Sequence, residues 1–199
     1  MARLYLASIS PRRKEILKRL GIKFTVLTPK LIEDSAPTFN SARLGSIISP
    51  ARYAIQLAKM KVDSVKHRIT KGIILGMDTI VVLDKKILGK PKNQKSARQM
   101  LKMLSGKTHR VITGIYLLHL PNGNSCAGYE TTKVKFRKLT KLEINQYIKT
   151  QEPYDKAGGY GIQGKAGLFI ESINGCYSNV VGFPVTKFLK LLKKLNSHI

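Results

Sequence analysis

Short apolar runs alternate with segments of helical periodicity near the start of the chain. Residues 4–8 form an apolar run that predicts a buried strand. Ser10 and Pro11 follow it directly, and these residue types are typical of a helix N-cap and of the first helical position. Gly21 suits the residue just past a helix end, so a helix is predicted between Pro11 and Gly21. Residues 22–28 then predict a second strand.

The middle of the chain changes from a polar segment to strongly apolar ones. Residues 29–49 are polar and show no clear period, which predicts a long loop. Pro50 opens a segment with helical spacing of its apolar residues. Residues 73–76 and 79–83 are apolar and β-branched, so both predict strands, with Asp78 between them. A hairpin turn is predicted after the second of these strands.

The next part of the chain carries three local signals. Residues 97–104 place apolar side chains at helical intervals and predict an amphipathic helix. Residues 109–120 and 126–137 predict two paired strands, since an Asn-Gly pair between them is a strong hairpin signal. Thr140 and Glu143 have the spacing of a capping box and predict the start of another helix.

The C-terminal part begins with a glycine-rich segment at residues 158–167. Two short strands are predicted near residues 168–173 and 178–182, and Pro184 precedes a last amphipathic helix. We find neither an internal repeat nor a linker. Mixed strands and helices therefore predict one α/β domain over residues 1–199 with a mixed sheet and flanking helices.

The composition is that of a globular protein, with 43% hydrophobic and 24% charged residues. Cys126 and Cys176 share no metal-binding or redox spacing, which argues against a disulfide framework and favours a reducing compartment. No apolar stretch approaches the roughly 18 residues that span a bilayer. The N-terminus also lacks the layout of a signal peptide. We therefore expect a cytoplasmic protein without a membrane span.

The charge balance is strongly basic. Lys and Arg number 36 and Asp and Glu 11, which gives a net charge of +25. Such a chain attracts polyanions, including nucleic acids, nucleotides and anionic membranes. The alternative interpretation is a compositional bias that produces solvated, lysine-rich faces. The charge thus indicates a class of partner without defining a function.

One candidate site lies where the first strand meets the first helix. Ser8 and Ser10 supply hydroxyls there, and Arg12 and Arg13 supply guanidinium groups. The free N–H groups of a helix start attract anions, and arginine matches phosphate oxygens with paired donors. Two arginines at the positive end of a helix dipole are unfavourable unless an anion compensates them. The pattern indicates a phosphate site, and the alternative is a capped surface helix with solvated arginines.

A lone acid and several lysines form a second group of candidates. Asp78 interrupts an apolar run, and an unpaired carboxylate there is costly to desolvate. We expect it at a strand edge or cleft, bound to a metal, a cation or water; the alternative is a turn aspartate. Lys90 lies in a rigid Gly-Lys-Pro turn that can present its ammonium to phosphate. The alternative for Lys61 and for Lys90, each taken alone, is an ordinary solvated lysine on the surface. Glu33 is a further acid in the polar segment.

The segment at residues 152–164 mixes acidic, basic, amide and aromatic groups with glycines. Gln163 offers donors and an acceptor that suit the edge of a uracil or thymine ring. Tyr160 is a candidate for stacking on a base. The alternative is a flexible linker, although loops of such varied chemistry are typical of binding sites. His109, at the start of a predicted strand, is interpreted as structural.

These segments resemble the Maf family of nucleoside triphosphate pyrophosphatases, also called septum-formation-inhibitor proteins. The resemblance covers nearly the whole chain and consists of several separate motifs in the same order. The matching segments are residues 6–13, 76–82, 89–91, 104–106, 109–113, 152–164 and 174–184.

The resemblance implies a fold and an activity. The implied fold is an elongated α/β structure like that of the inosine triphosphatases, with two lobes around a deep central cleft. The implied reaction converts a nucleoside triphosphate to the monophosphate and pyrophosphate with a divalent cation, Mg²⁺ or Mn²⁺. Asp78 matches the family's proton acceptor, and Thr79 after it implies the subgroup that acts on dTTP and UTP.

The resemblance also assigns residues to the cleft. Arg12, Thr79 and Gln163 match positions linked to base choice. The full set of predicted substrate-binding residues is Ser8, Ser10, Arg12, Arg13, Lys61, Thr79, Lys90, Lys156 and Gln163. Other matched cleft positions are Glu33, Glu152 and Asp155.

A mechanism follows from this assignment. Cleavage between the α- and β-phosphates develops negative charge that the cationic residues and a divalent cation neutralise. Asp78, with Glu33, either holds the cation or orients the attacking water as general base. A homodimer is compatible with this function. The alternative function is a nucleic-acid-binding or cell-division regulatory protein on the same scaffold, which the net charge motivates.

Overall fold

The computed structural model describes residues 2–29 and 49–196. Its strands are β1 (Leu4–Ala7), β2 (Phe24–Val26), β3 (Gly72–Leu83), β4 (Lys86–Leu88), β5 (Thr108–Leu120), β6 (Ser125–Phe136) and β7 (Ile170–Asn174). Its α-helices are α1 (Pro11–Arg19), α2 (Pro50–Asp63), α3 (Gln94–Leu104), α4 (Lys141–Ile148), α5 (Tyr177–Val181) and α6 (Val185–Asn196). Short 3₁₀ helices lie at Lys66–Arg68, Glu152–Asp155, Ala157–Gly159 and Lys165–Phe169. Glu33 and most of the predicted loop at 29–49 lie outside the described residues.

The described strands form one mixed sheet. Its order is β2-β1-β3-β5-β6-β7, and β4 pairs with β3 beside this path. β1 runs parallel to both β2 and β3, whereas β3 pairs antiparallel with β4 and β5, and β6 pairs antiparallel with β5 and β7. The α/β class, the mixed sheet and the flanking helices are therefore as predicted. The two lobes around a deep cleft stay a prediction.

Helices pack on both faces of the sheet because successive side chains of β3 point to opposite sides. Leu75 joins a buried cluster with Leu17 of α1 and Phe188 of α6. Ile74, its neighbour in sequence, joins a different cluster with Val62 of α2. Full burial of a side chain such as Phe188 contributes roughly 1.5–3 kcal/mol. β3 is therefore apolar on both faces, which explains its continuous run of hydrophobic residues.

Two glycines allow α2 to approach the sheet closely. A Cβ atom at Gly76 of β3 would lie 2.3 Å from the carbonyl oxygen of Ala58, and one at Gly114 of β5 would lie 2.2 Å from the carbonyl carbon of Ala54. Both distances are shorter than any real Cβ contact, so only glycine permits this helix–sheet spacing. Lys61 follows Ala58 by one helical turn, and the close approach brings it to the middle of β3.

The structure decides one open alternative and corrects one predicted element. Residues 73–76 and 79–83 belong to one strand, because Asp78 keeps its backbone in the ladder opposite Gly114. Only the side chain of Asp78 differs from the apolar residues of this strand. Residues 178–182 were predicted as a strand but lie in and just after α5, which ends at Gly182 with a left-handed φ of 102°.

Local start and stop signals are confirmed. α1 begins at Pro11, and Gly21 lies beyond its end with a left-handed φ of 67°. Thr140 and Glu143 form the predicted capping box at the start of α4. Ser10 precedes α1 as predicted, although its side chain makes no capping hydrogen bond.

Candidate active site

A cavity of about 1170 Å³ gathers side chains from distant parts of the chain. Every predicted site residue that the structure describes lines it: Ser8, Ser10, Arg12, Arg13, Lys61, Asp78, Thr79, Lys90, Lys156 and Gln163. They come from the β1–α1 junction, α2, the middle of β3, the turn after β4 and the glycine-rich segment. Glu33, the predicted second metal ligand, lies outside the described residues.

Arg13 is the buried centre of one cavity wall. Its Nε donates to the carbonyl oxygen of Gly182 at 2.9 Å. Its Nη1 donates to the carbonyl oxygen of Met77 at 2.9 Å and to Ser8 Oγ at 3.2 Å. Its Nη2 donates to Thr79 Oγ1 at 3.1 Å. Burial lowers the pKa of Arg13 to about 10, so the guanidinium stays charged at neutral pH while it holds three segments together.

The start of α1 adds a second positive feature beside Arg13. The first turn of α1 contains no acidic residue, so the positive end of its dipole is not neutralised within the helix. Arg12 is one-third exposed and forms an ion pair of 3.7 Å with Asp155. Asp155 also contacts the ammonium of Lys156. A single, largely exposed carboxylate thus bridges two cations at the cavity edge, where an anionic ligand can compete for them.

Asp78 lies within strand β3 and pairs with a cation, so it is not a turn aspartate. Its Oδ1 accepts a hydrogen bond from Nζ of Lys61, and that ammonium also donates to the carbonyl oxygen of Met77 at 3.3 Å. Both side chains are mostly buried, with 26% of Lys61 and 19% of Asp78 exposed. Burial lowers the pKa of Lys61, and the charge of Asp78 opposes this decrease. The carboxylate keeps a second oxygen that can take a water proton or a cation.

A chain of hydroxyl groups fixes the residue after Asp78. Thr113 Oγ1 donates to the carbonyl oxygen of Asn179 at 3.3 Å and lies 2.9 Å from Thr79 Oγ1. Because the hydrogen of Thr113 is committed to Asn179, Thr79 donates to Thr113 and accepts from Arg13. Asn179 is itself held, since its Nδ2 donates to Thr132 Oγ1 at 3.0 Å. Thr113 and Asn179 were not among the predicted site residues, although Thr113 is a polar residue within an apolar run of the sequence and Asn179 directly precedes one.

The glycine-rich segment packs against the turn that carries Lys90. The amide of Gly158 donates to the carbonyl oxygen of Gly89 at 3.0 Å. A Cβ at Gly159 would lie 3.3 Å from Cγ of Pro91, so the backbone at Gly159 lies close to the proline ring. The predicted phosphate-binding turn and the predicted base-binding segment therefore form one continuous wall.

Glu152 anchors the other end of this segment. Its carboxylate accepts hydrogen bonds from the amide of Lys165 at 3.0 Å and from the hydroxyl of Tyr147 at 3.0 Å. A Cβ at Gly164 would lie 2.3 Å from Oε1 of Glu152, so the carboxylate occupies the space that glycine leaves. Gln163, immediately before Gly164, is exposed at the cavity.

Tyr160 does not offer a free stacking surface. Only 6% of it is exposed, and its ring packs edge-to-face against Phe136 and His109. The structure therefore contradicts the predicted stacking role and gives Tyr160 a place in the hydrophobic core.

Metal ligands are sparse in the described part of the chain. Residues 2–29 and 49–196 contain no group of three or more His, Cys, Asp or Glu residues that could hold a metal ion. The same residues include no helix long and apolar enough to cross a membrane. The described carboxylates that line the cavity are Asp78, Glu152 and Asp155, and they do not form such a group.

Comparisons with known proteins identify the family. A model of the Maf-like protein family matches residues 3–195, and the chain belongs to this family. A protein of Ruminiclostridium cellulolyticum named dTTP/UTP pyrophosphatase is 45% identical over 100% of this chain and 99% of its own length. A protein of the same name from Carboxydothermus hydrogenoformans is 42% identical over 96% of this chain and 98% of its own. The solved structure of the Staphylococcus aureus Ham1 protein is 13% identical, with a TM-score of 0.42 over 67% of this chain and 71% of that chain.

Proposed function

We propose that this protein is a nucleoside triphosphate pyrophosphatase that hydrolyses dTTP and UTP to the monophosphate and pyrophosphate. The observation that carries the proposal is Asp78, a single carboxylate held beside the buried cations Lys61 and Arg13 in a large cavity. The names of full-length relatives at 42–45% identity support the same reaction and the same substrates.

The cavity has the charge that a triphosphate needs. Arg13, Lys61 and the start of α1 line the cavity, and Arg12, Lys90 and Lys156 add further cationic groups to the lining. Preorganised positive groups in a partly desolvated site stabilise the charge that develops on phosphate oxygens in the transition state. We propose that the phosphates lie against these residues and that Ser8 and Ser10 line the same subsite.

Asp78 is the proposed catalytic residue. In the proposed reaction a water oxygen forms a bond to the α-phosphorus, and the bond from that phosphorus to the α,β-bridging oxygen breaks. The water proton passes to the carboxylate of Asp78, and pyrophosphate leaves with the bridging oxygen. Lys61 keeps the Asp78 carboxylate oriented, because its ammonium already donates to the other carboxylate oxygen.

The residues fit a divalent cation that accompanies the substrate. Mg²⁺ in nucleotide sites is held by one or two carboxylates together with phosphate oxygens and waters. In the alternative role that the sequence leaves open for Asp78, its carboxylate would hold Mg²⁺ or Mn²⁺, with Glu33 as the predicted second ligand. The bound cation would supply charge neutralisation on the triphosphate.

Base choice is assigned to residues on two walls of the cavity. Gln163 is exposed and carries both donors and an acceptor, which matches the alternating edge of uracil or thymine. Thr79 keeps a fixed hydroxyl orientation through Arg13 and Thr113. With Arg12 they form the proposed set that selects dTTP and UTP.

The nucleic-acid-binding or regulatory alternative is not favoured, because the matched relatives carry the name of a hydrolase. It predicts polynucleotide binding with a steep salt dependence that does not change when Asp78 is replaced. A two-lobed single domain, a cytoplasmic location and a homodimer stay predictions.

A nucleotide panel with pyrophosphate and orthophosphate detection, with and without Mg²⁺ or Mn²⁺, tests the function. We expect pyrophosphate from dTTP and UTP, and orthophosphate as the first product would contradict the proposal. Asp78→Asn should lower kcat by about 10³-fold, within the range for loss of a general base. Asp63→Asn is the control, since Asp63 is paired with Lys59 and Lys66 on the surface of α2. Full activity of Asp78→Asn would refute the catalytic role.

A further inference from the structure

One hydrogen bond between buried side chains anchors the glycine-rich segment in the core. Nε2 of His109 and the hydroxyl of Tyr160 are 2.6 Å apart, and the two residues are 1% and 6% exposed. Nδ1 of His109 is buried and has no hydrogen-bond partner in the described part of the chain. An unsatisfied buried polar atom costs about 1–3 kcal/mol, which an apolar residue at this position would avoid. Stability alone therefore does not account for an imidazole here.

The surrounding rings fix the geometry of this pair. His109, Phe136 and Tyr160 contact one another edge-to-face, with ring centroids 4.8–5.3 Å apart. Burial lowers the pKa of His109 to about 4, so the imidazole is neutral at physiological pH. His109 itself does not line the cavity, whereas Tyr160 does. The hydrogen bond to Tyr160 therefore links His109 to the cavity wall.

Tyr160 is the side chain that ties this stretch of backbone to the core. It stands between Gly159 and Gly161, which have no side chains to pack. The amide of Gly158, two residues before it, donates to the carbonyl oxygen of Gly89. A displacement of Tyr160 would therefore move this backbone away from the turn that carries Lys90.

We propose that His109 is a positioning residue: through Tyr160 it holds residues 158–163 against the turn at 89–91 and so sets the distance between Gln163 and Lys90. This proposal rests on the proposed pyrophosphatase function, because those two side chains are assigned to the base and the phosphates of one substrate. Because residues 158–163 and 89–91 are already held in one conformation, substrate binding does not have to order them, and the entropic cost of binding is smaller.

Matched substitutions on β5 test the proposal. His109→Phe keeps a ring and removes its nitrogens, whereas His109→Gln keeps a group that can hydrogen-bond to Tyr160. His119→Phe is the control, because His119 is also buried on β5 and bonds to Asn122 outside the cavity. The measurements are kcat and KM for dTTP and the inhibition constant of inorganic triphosphate, which has no base.

We expect His109→Phe to raise KM about tenfold, equivalent to one hydrogen bond, with kcat and the inhibition constant changed less than threefold. His109→Gln and His119→Phe should stay within threefold of the unmodified protein. An unchanged KM in His109→Phe would overturn the proposal. Equal impairment in His109→Gln, or a fall in kcat alone, would overturn it as well.

Hydrogen exchange gives a readout that is independent of activity. The amide of Gly158 should exchange at least tenfold faster in His109→Phe and at the normal rate in His119→Phe. Unchanged exchange would refute the anchor even in an active enzyme. A protein that releases no pyrophosphate would instead refute the proposed function, and the exchange rates would still decide whether His109 anchors the segment. Tyr160→Phe, which deletes only the hydroxyl, replaces His109→Phe in both assays if that variant does not fold.

Discussion

Gly114→Ala tests whether the close approach of α2 creates the pairing of Lys61 with Asp78. An added Cβ would lie 2.2 Å from the carbonyl carbon of Ala54 and 2.4 Å from the amide nitrogen of Ile55. Ordinary contacts begin at 3.4 Å, so the helix backbone must retreat by about 1.2 Å. Backbone atoms cannot rotate away as a flexible side chain can, so the whole segment has to move.

Two separate losses are expected, one in stability and one in activity. Overpacking of a close-packed interior costs typically about 1–3 kcal/mol, which urea denaturation measures as a lower midpoint with an unchanged slope. Lys61 lies two helical turns after Ala54 on the same helix, so its ammonium moves relative to Asp78. A displacement near 1 Å in a catalytic arrangement can lower activity by about 10²-fold, which kcat/KM for dTTP measures.

Gly128→Ala provides the control on the neighbouring strand. The nearest atom to its added Cβ is Cδ1 of Leu191 at 3.1 Å, at the end of a flexible side chain. We expect a change in unfolding free energy within about 1 kcal/mol and normal kcat/KM. Unchanged stability and activity in Gly114→Ala, or equal losses in both variants, would contradict this expectation.

Two further predictions concern buried charge. The pKa of His109 falls from 6.5 to about 4 on folding, so the unfolded chain binds its proton first and stability decreases as pH falls through this range. Between pH 7 and pH 4 the free energy of unfolding should fall by roughly 3 kcal/mol more in the unmodified protein than in His109→Gln. Urea denaturation at the two pH values measures both changes, and an equal decrease in the two proteins would contradict this prediction. Arg13→Lys should lower the unfolding free energy by about 2–4 kcal/mol because lysine cannot serve the carbonyls of Met77 and Gly182 together. Arg19→Lys, on the exposed face of the same helix, should change the unfolding free energy by less than about 1 kcal/mol. Equal losses in the two variants would show that the several donors of the Arg13 guanidinium do not contribute to stability.

Candidate residues were predictable where a polar group stands in an apolar pattern. Asp78 interrupts a hydrophobic strand, and Arg12 and Arg13 stand at the positive end of a helix, so each is anomalous within a few residues of its own position. The anomaly does not reveal the partner. Asp78 pairs with Lys61, 17 positions away, and Arg13 donates to Gly182, 169 positions away. His109 is buried, in agreement with its structural interpretation, but its sequence neighbours give no sign of its partner Tyr160.

The sequence by itself determined the elements that depend on interactions within one turn. Pro11 and Gly21 delimit α1, and Thr140 with Glu143 starts α4, because caps and backbone preferences act between residues a few positions apart. Only the tertiary structure decided that residues 178–182 belong to a helix end and that α2 lies close enough to place Lys61. These outcomes depend on packing and hydrogen bonds between segments far apart in the chain, whose energies no local pattern contains.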